Sequence, residues 1–388
     1  MDTQAIARIP QTFCDMPDPR HHNRRHKLMD IITIALFAAI SGADDWAAVA
    51  FYGRNKIAWL KTFMDLPHGI PSHDTFNRVF NRLDPDAFEK LFQAWMASMV
   101  KLSGGKLVAI DGKSIRRSFE HGWDKCGMAH MVSAFVQENK LVFAQVEAGG
   151  PGQELSAIER LLGMLNLSGA VVTIDALGCN QQVAGLILKA GGDYVLPVKG
   201  NQEKLQAKIR SSMDEVILEE FKVIEDGVEK EIPHDFFEEA DGDHGRIETR
   251  KTWICWAVKD LLGKELAAAW PGLKALVTTE RTRELNGKTS TTRHYHISSL
   301  SRRTKARTMA GHIRGHWSVE NNLHWQLDVS FNEDQKRVRQ GTGAENLSRL
   351  NRIALNLLKR ESTVKAGIAN KRKICGWSDD YLLKVAQA

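Results

Sequence analysis

Three acidic residues stand where acids are costly. Two short apolar runs end alike, in Val108-Ala-Ile-Asp111-Gly112 and in Val172-Thr-Ile-Asp175-Ala176, and their length and β-branched content predict buried strands. An Asp after a strand is ordinarily a turn former or cap. Two of them, on strands that one intervening helix makes neighbours at about 4.8 Å, bring two carboxylates within reach of one divalent cation or a pair. The third acid falls on a helical pattern. With about 100° per residue, Ala306, Met309, Ala310, Ile313, Trp317 and Leu327 share one face, with Glu320 and His324 in its middle and His316 and Asp328 at its edges. A carboxylate on an apolar face needs a cation, a hydrogen-bond network or a watery cleft.

Three carboxylates without a cysteine ligand favour a hard, oxygen-seeking ion, Mg²⁺ or Mn²⁺, whose usual substrates are phosphates and which then acts as a pair. Asp328 is close enough to serve as an auxiliary ligand. The neighbouring cations suit a phosphate: Lys113, Arg116 and Arg117 follow Asp111, and a strand ending at Val198 runs into Lys199-Gly-Asn-Gln202. A competing reading takes His312, His316, Glu320 and His324, at spacing four, as a zinc face. It leaves the Asp-terminated strands without a role.

The elements that must position these residues change character along the chain. Residues 1–104 are helical in pattern, with Ser72 as an N-cap before the stripe Phe76, Val79, Phe80 and Leu83. They predict an all-α N-terminal domain, either a structural bundle or a helix-turn-helix that turns Arg78 and Arg82 towards DNA. Residues 105–200 alternate short strands with helices at Glu154–Leu165 and Gln181–Ala190, which predicts a mixed α/β sheet. Residues 201–300 read as a strand-rich acidic insertion. Residues 301–388 return to helices that complete the core.

Composition excludes several classes. The chain has 388 residues, 43% hydrophobic and 26% charged, ordinary for a globular protein of two or three domains. Its longest clean apolar run, Ile31–Ile40, is half of what a membrane span needs, so it predicts a buried helix. Met1–Pro10 lacks the apolar stretch of a signal peptide, and the expected location is cytoplasmic. Five scattered cysteines with no CxxC pair predict reduced fillers, not a zinc knuckle. The net charge of +6 is unevenly spread: residues 201–243 carry 14 acids and 5 bases, residues 301–373 carry 16 bases and 6 acids. The basic block is expected to meet a polyanion, with Arg337, Arg339, Arg349 and Arg352 as phosphate contacts.

Read together, Gly69-Ile-Pro-Ser-His-Asp-Thr-Phe-Asn-Arg78, Ala109-Ile-Asp-Gly-Lys113, Thr173-Ile-Asp-Ala176, Val198-Lys-Gly-Asn-Gln202, His244-Gly-Arg-Ile-Glu-Thr-Arg250 and His316-Trp-Ser-Val-Glu-Asn-Asn-Leu-His-Trp325 form an ordered series. With them the chain resembles the DDE transposases of bacterial insertion sequences, and more narrowly the H-repeat-associated subgroup, over nearly its whole length. The resemblance implies a ribonuclease-H-like core, with Asp111 and Asp175 as the two aspartates and Glu320 as the helix-borne glutamate holding two Mg²⁺ or Mn²⁺ ions. It implies end cleavage and strand transfer on double-stranded DNA, a homodimer when assembled on DNA, and a place at the nucleoid. The spacings of 64 and 145 residues imply a large insertion before the last catalytic helix. Where the wider group carries a Tyr, an Arg and a Lys around the Glu, this chain has Ile313, His316 and Leu327, so His316, Lys113 or Lys199 is left for the phosphate. Two alternatives stay open: a DNA-binding derivative without catalysis, disfavoured by the three intact acids, and a nuclease without strand transfer, which shares the metal site.

Overall fold

The computed structural model describes residues 13–22, 24–99, 105–119, 128–150, 152–225, 228–243, 246–285 and 287–388. Ser103 and Gly104, which stand at the boundary expected between residues 104 and 105, together with Cys126, His244 and Gly245, lie outside them.

Helices α1 (Leu28–Ile40), α2 (Trp46–Asn55), α3 (His73–Phe80) and α4 (Pro85–Met99) come first. Strands β1 (Leu107–Ser114), β2 (His130–Val136) and β3 (Leu141–Glu147) follow, then α5 (Glu154–Met164), β4 (Val171–Ile174), α6 (Gln181–Lys189) and β5 (Asp193–Val198). Helix α7 (Glu203–Leu218) leads into β6 (Lys222–Glu225), β7 (Val228–Glu231), β8 (His234–Asp243), β9 (Arg246–Cys255), β10 (Ala275–Leu285) and β11 (Lys288–Ser298). After α8 (Ala306–His316) comes a π-turn, Glu320–His324, and then α9 (Trp325–Phe331), α10 (Gly343–Arg360), α11 (Ile368–Trp377) and α12 (Asp379–Gln387). The chain divides into two compact units, one of Met1–Lys101, Gly112–Ala157 and Glu320–Ala388, the other of Leu102–Asp111 and Ile158–Val319.

The second unit is built on a large mixed sheet in the order β1-β4-β5-β11-β10-β9-β8. Strands β1, β4 and β5 are parallel and the rest antiparallel. The Val/Ile runs of β1 and β4 are buried on both faces, as a central parallel strand requires. Met309 and Ala306 of α8 close the core over Leu107, Val171, Val195, Ile254 and Val277. Residues 201–300 depart from the expected pattern in two ways. They open with the long helix α7, whose Leu205, Ile209, Met213 and Val216 are buried at helical spacing. Their strands β8–β11 also do not stand apart, because β11 pairs with β5 and extends the same sheet.

In the first unit the end of β1 lies beside the antiparallel hairpin β2–β3, in the order β3-β2-β1. Helix α1 is buried almost all round, as its apolar run predicts, and packs on α2, α10, α11 and α12. Arg372 of α11 donates to the Ala39 carbonyl at the end of α1 and pairs with Asp44 at 3.0 Å, placing a cation at a helix C-terminus. The connection between the last turn at Ile57–Leu60 and α3 runs from residue 61 to residue 72, too long for a helix-turn-helix. Ser72 does cap α3, accepting the Thr75 N–H.

Helix α10 is also buried, polar residues included, and Asn346, Arg349, Asn351, Arg352 and Asn356 each have at least one partner, although Nε and Nη2 of Arg352 have none among the described residues. Asn356 bonds both the N–H and the carbonyl of Val142, imitating a neighbouring strand. Arg349, 1% exposed, meets Glu89 at 2.7 Å and Glu345 at 3.0 Å. Arg352 is fully buried and pairs with Glu333 at 3.3 Å. These two arginines were expected to touch phosphates; the structure corrects that, because both guanidinium groups are spent on buried carboxylates. Replacing one partner strands the other charge, which costs about 3–5 kcal/mol. Arg349→Ala should therefore lose about that much unfolding free energy in urea, whereas the exposed Arg337→Ala should change it by no more than about 0.5 kcal/mol.

Candidate active site

The pairing of β1 with β4 ends at Ile110↔Ile174, so the next residues are Asp111, still within β1 where it leaves β4, and Asp175, just past the end of β4. Ligand sites of parallel sheets lie beyond these carboxyl ends. Asp175 is exposed, and its Oδ1 accepts the N–H groups of Leu177 at 3.1 Å and Gly178 at 3.3 Å, so the cap expected of such an Asp is present. Those bonds hold the carboxylate in one orientation. Gly178 is needed there, since a Cβ would sit 2.4 Å from Ile174 Cγ2.

The run after β5 secures the same turn. Asn201 donates to the Ala176 carbonyl at 2.6 Å and Gln202 to that of Cys179 at 3.0 Å, leaving Lys199 exposed at the strand end. His316, at the end of α8, bonds Thr173 Oγ1 through Nδ1 at 3.1 Å, two residues before Asp175 and on the same strand face. Burial pushes its imidazole below the ordinary range; Asp175 opposes that and Lys199 adds to it. His316 is therefore neutral near pH 7, a hydrogen-bonding group and not a substitute for an arginine's charge. His296 on β11 is buried more completely and is held down to about 3, by burial first and then by His294, His316 and Lys199.

Glu320 opens the π-turn, exposed, and its Oε2 lies 3.1 Å from Nδ1 of the buried His324. Burial pushes His324 down to about 4, with the bond to Glu320 opposing. The expected single stripe does not survive the turn at Trp317, which resets the helical phase and leaves that side chain 67% exposed. A π-turn in a helix frequently marks a functional site. Within the first unit, Glu320 and His324 thus bring a carboxylate and an imidazole together, two donors suited to a divalent ion. His316 of the zinc-face reading is instead bonded to Thr173 in the second unit.

Other expected residues are occupied elsewhere. Lys113 is buried and pairs with Asp328 at 2.7 Å and Asp334 at 2.9 Å. Its ammonium is thus an internal counter-ion, and Asp328 is a partner of Lys113 before it is a metal ligand. The surrounding carboxylates, Glu333 first, outweigh burial and hold Lys113 above its usual value. Arg116 pairs with Asp334 at 3.1 Å but stays exposed, and Arg117, Arg78, Arg82 and Arg337 are exposed as well. Arg339 is half-buried, over the Phe119 ring. Thr173, Asn201, Gln202 and Asp334 were not foreseen; only the Lys-Gly-Asn-Gln run signalled any of them.

His296 yields a pH prediction. An unfolded chain takes up this proton near pH 6.5 while the folded one resists it until about 3, so the stabilisation is present above 6.5 and is lost as the pH falls towards 3. His296→Phe should accordingly flatten the decline of unfolding free energy between pH 7 and 5 in parallel urea titrations. Identical slopes for variant and parent would contradict the burial argument.

A family model described as "Transposase DDE domain" matches residues 102–357, and one described as "DDE_Tnp_1-associated" matches residues 10–96. The Escherichia coli O157:H7 protein named "Putative transposase YncI" is 37% identical over 374 residues, 95% of this chain and 92% of that protein. The Escherichia coli K12 protein named "H repeat-associated putative transposase YhhI" is 35% identical over 385 residues, 98% of each. Among solved structures, a piggyBac transposase synaptic complex with hairpin DNA aligns with TM-score 0.43 and 10% identity, over 98% of this chain and 78% of that one. Asp111, Asp175 and Glu320 all fall inside the matched domain, and the chain belongs to the DDE-domain family of transposases.

Proposed function

We propose that the protein cuts and joins DNA as the transposase of an insertion sequence, with Asp111, Asp175 and Glu320 as its catalytic acids on a ribonuclease-H-like core. One observation carries the reading: Asp111 and Asp175 directly follow Ile110 and Ile174, the last paired residues of two adjacent, in-register parallel strands within the family match. The order β1-β4-β5 within the second unit, with β4 and β5 parallel to β1, supports the core. Mg²⁺ or Mn²⁺ held by the acids, with His324 as a further donor, would supply Lewis-acid stabilisation of phosphate charge.

The chain's own groups have separable tasks. Asp175 is pre-oriented by two backbone N–H groups, and Asn201 and Gln202 keep its turn closed. Lys199 brings positive charge to the strand end, and His316 offers a neutral hydrogen-bonding edge. In the reaction, water adds to phosphorus at the transposon end and the 3′-oxygen leaves as a hydroxyl. That hydroxyl then adds to a target phosphorus and displaces a target 3′-oxygen, so one phosphodiester is exchanged for another.

The test is incubation of purified protein with Mg²⁺ and supercoiled DNA carrying the sequences that flank its own gene. Cleaved ends and joined products are expected. Cleavage without joining would leave a nuclease, and binding without cleavage a derivative that has lost catalysis. Asp111→Asn, Asp175→Asn and Glu320→Gln should each abolish cleavage while DNA binding stays near the parent's, and the double variants should be no worse than the singles. Any one variant that cleaves like the parent loses its assignment.

A further inference from the structure

An open pocket of about 320 Å³ in the first unit is lined by Asn77, Asn81, Arg337, Val338, Arg339 and Gln340. Asn77 lies on α3, Asn81 just after it, and the other four form the loop before α10. The amides make a chain: Asn81 Nδ2 is 3.3 Å from Asn77 Oδ1 and 3.5 Å from Gln340 Oε1. Asn81 Oδ1 is a buried acceptor without a hydrogen-bond partner.

The loop is held in place from behind. A Cβ on Gly343 would fall 2.0 Å from Asn81 Oδ1, and one on Gly341, whose φ is +52°, would fall 2.3 Å from the Asn81 carbonyl oxygen. Only glycine permits that approach. Thr342 donates its N–H to the Asn81 carbonyl at 3.2 Å and its hydroxyl to that of Leu83 at 2.9 Å. Asn346 completes the clamp, bonding the carbonyls of Phe80 and Leu83.

Charge distinguishes this place from the rest of the basic block. Arg349, Arg352 and Arg372 are buried against carboxylates. Arg337 and Arg339 of the pocket, and the exposed Arg78 and Arg82 that follow Asn77 and Asn81 in sequence, have no carboxylate partner among the described residues. A surface that only tracked phosphates would need cations alone, whereas Arg, Asn and Gln together are the side chains that read guanine and adenine edges.

We infer that this composite pocket of α3 and the 337–340 loop reads base edges of duplex DNA at the transposon end. The inference rests on the transposase reading and adds to it which residues choose the sequence. Neither α3 alone nor the C-terminal loop alone contains the whole set.

Full-length protein is titrated, at one salt concentration, with a labelled duplex of the sequences flanking its own gene and with a scrambled duplex of equal length. Asn77→Ala and Gln340→Ala should each weaken binding to the end duplex roughly 5- to 150-fold while leaving the scrambled duplex unchanged. Arg337→Lys keeps the charge and should lose end preference in the same way. Thermal melts of each variant matching the parent's exclude misfolding as the cause. Equal losses on both duplexes, or none on either, would overturn the inference, as would a parent protein that binds both duplexes equally well. A parent that binds neither would overturn the underlying DNA reading too.

Discussion

The constraint on which the second unit rests is the in-register parallel pairing of β1 with β4, whose last pair, Ile110 with Ile174, is followed directly by Asp111 and Asp175. Much of the second unit can be read as support for that pairing. Apolar side chains bury both faces of the two strands, so the register is fixed by the core. The turn after Asp175 is tied to the end of β5 by two side-chain amides. β5 in turn carries β11 and its buried His296, which stays neutral beside Lys199.

The first unit solves a different electrostatic problem. Its helices carry many of the chain's positive charges, yet the most deeply placed of them face inwards. Arg349 and Arg352 are locked to Glu89, Glu345 and Glu333, and Lys113 to Asp328 and Asp334. A buried pair adds little net stability over an apolar equivalent, but breaking it is costly. Such pairs tie α10 to its neighbours, whereas Arg78, Arg82 and Arg337 stay exposed.

What could be read from the residues alone follows from burial. Strands β1 to β5 were legible because apolar runs bounded by polar turns have few alternatives, and the two aspartates were conspicuous for ending such runs. Glu320 was legible as an acid on an apolar pattern, although the end of the helix at His316 broke the assumed 100° step and left Trp317 at the surface. Helix α7 was hidden because its Leu205, Ile209, Met213 and Val216 are interleaved with acids that dominate the local composition. Charge counting failed at Arg349 and Arg352, since a count does not distinguish a solvated guanidinium from one facing a buried carboxylate. Long-range pairs such as Lys113–Asp334 join residues too far apart in the chain for any local pattern to announce them.

The central claim is that Asp111, Asp175 and Glu320 serve one divalent-ion site. Replacing Mg²⁺ by Fe²⁺ and generating hydroxyl radicals with ascorbate and peroxide cuts a polypeptide backbone beside the bound ion, and the fragments can be sized. The account predicts cuts next to residues 111, 175 and 320, all suppressed together by excess Mg²⁺. Cuts confined to one or two of those segments, or insensitive to Mg²⁺, would contradict it.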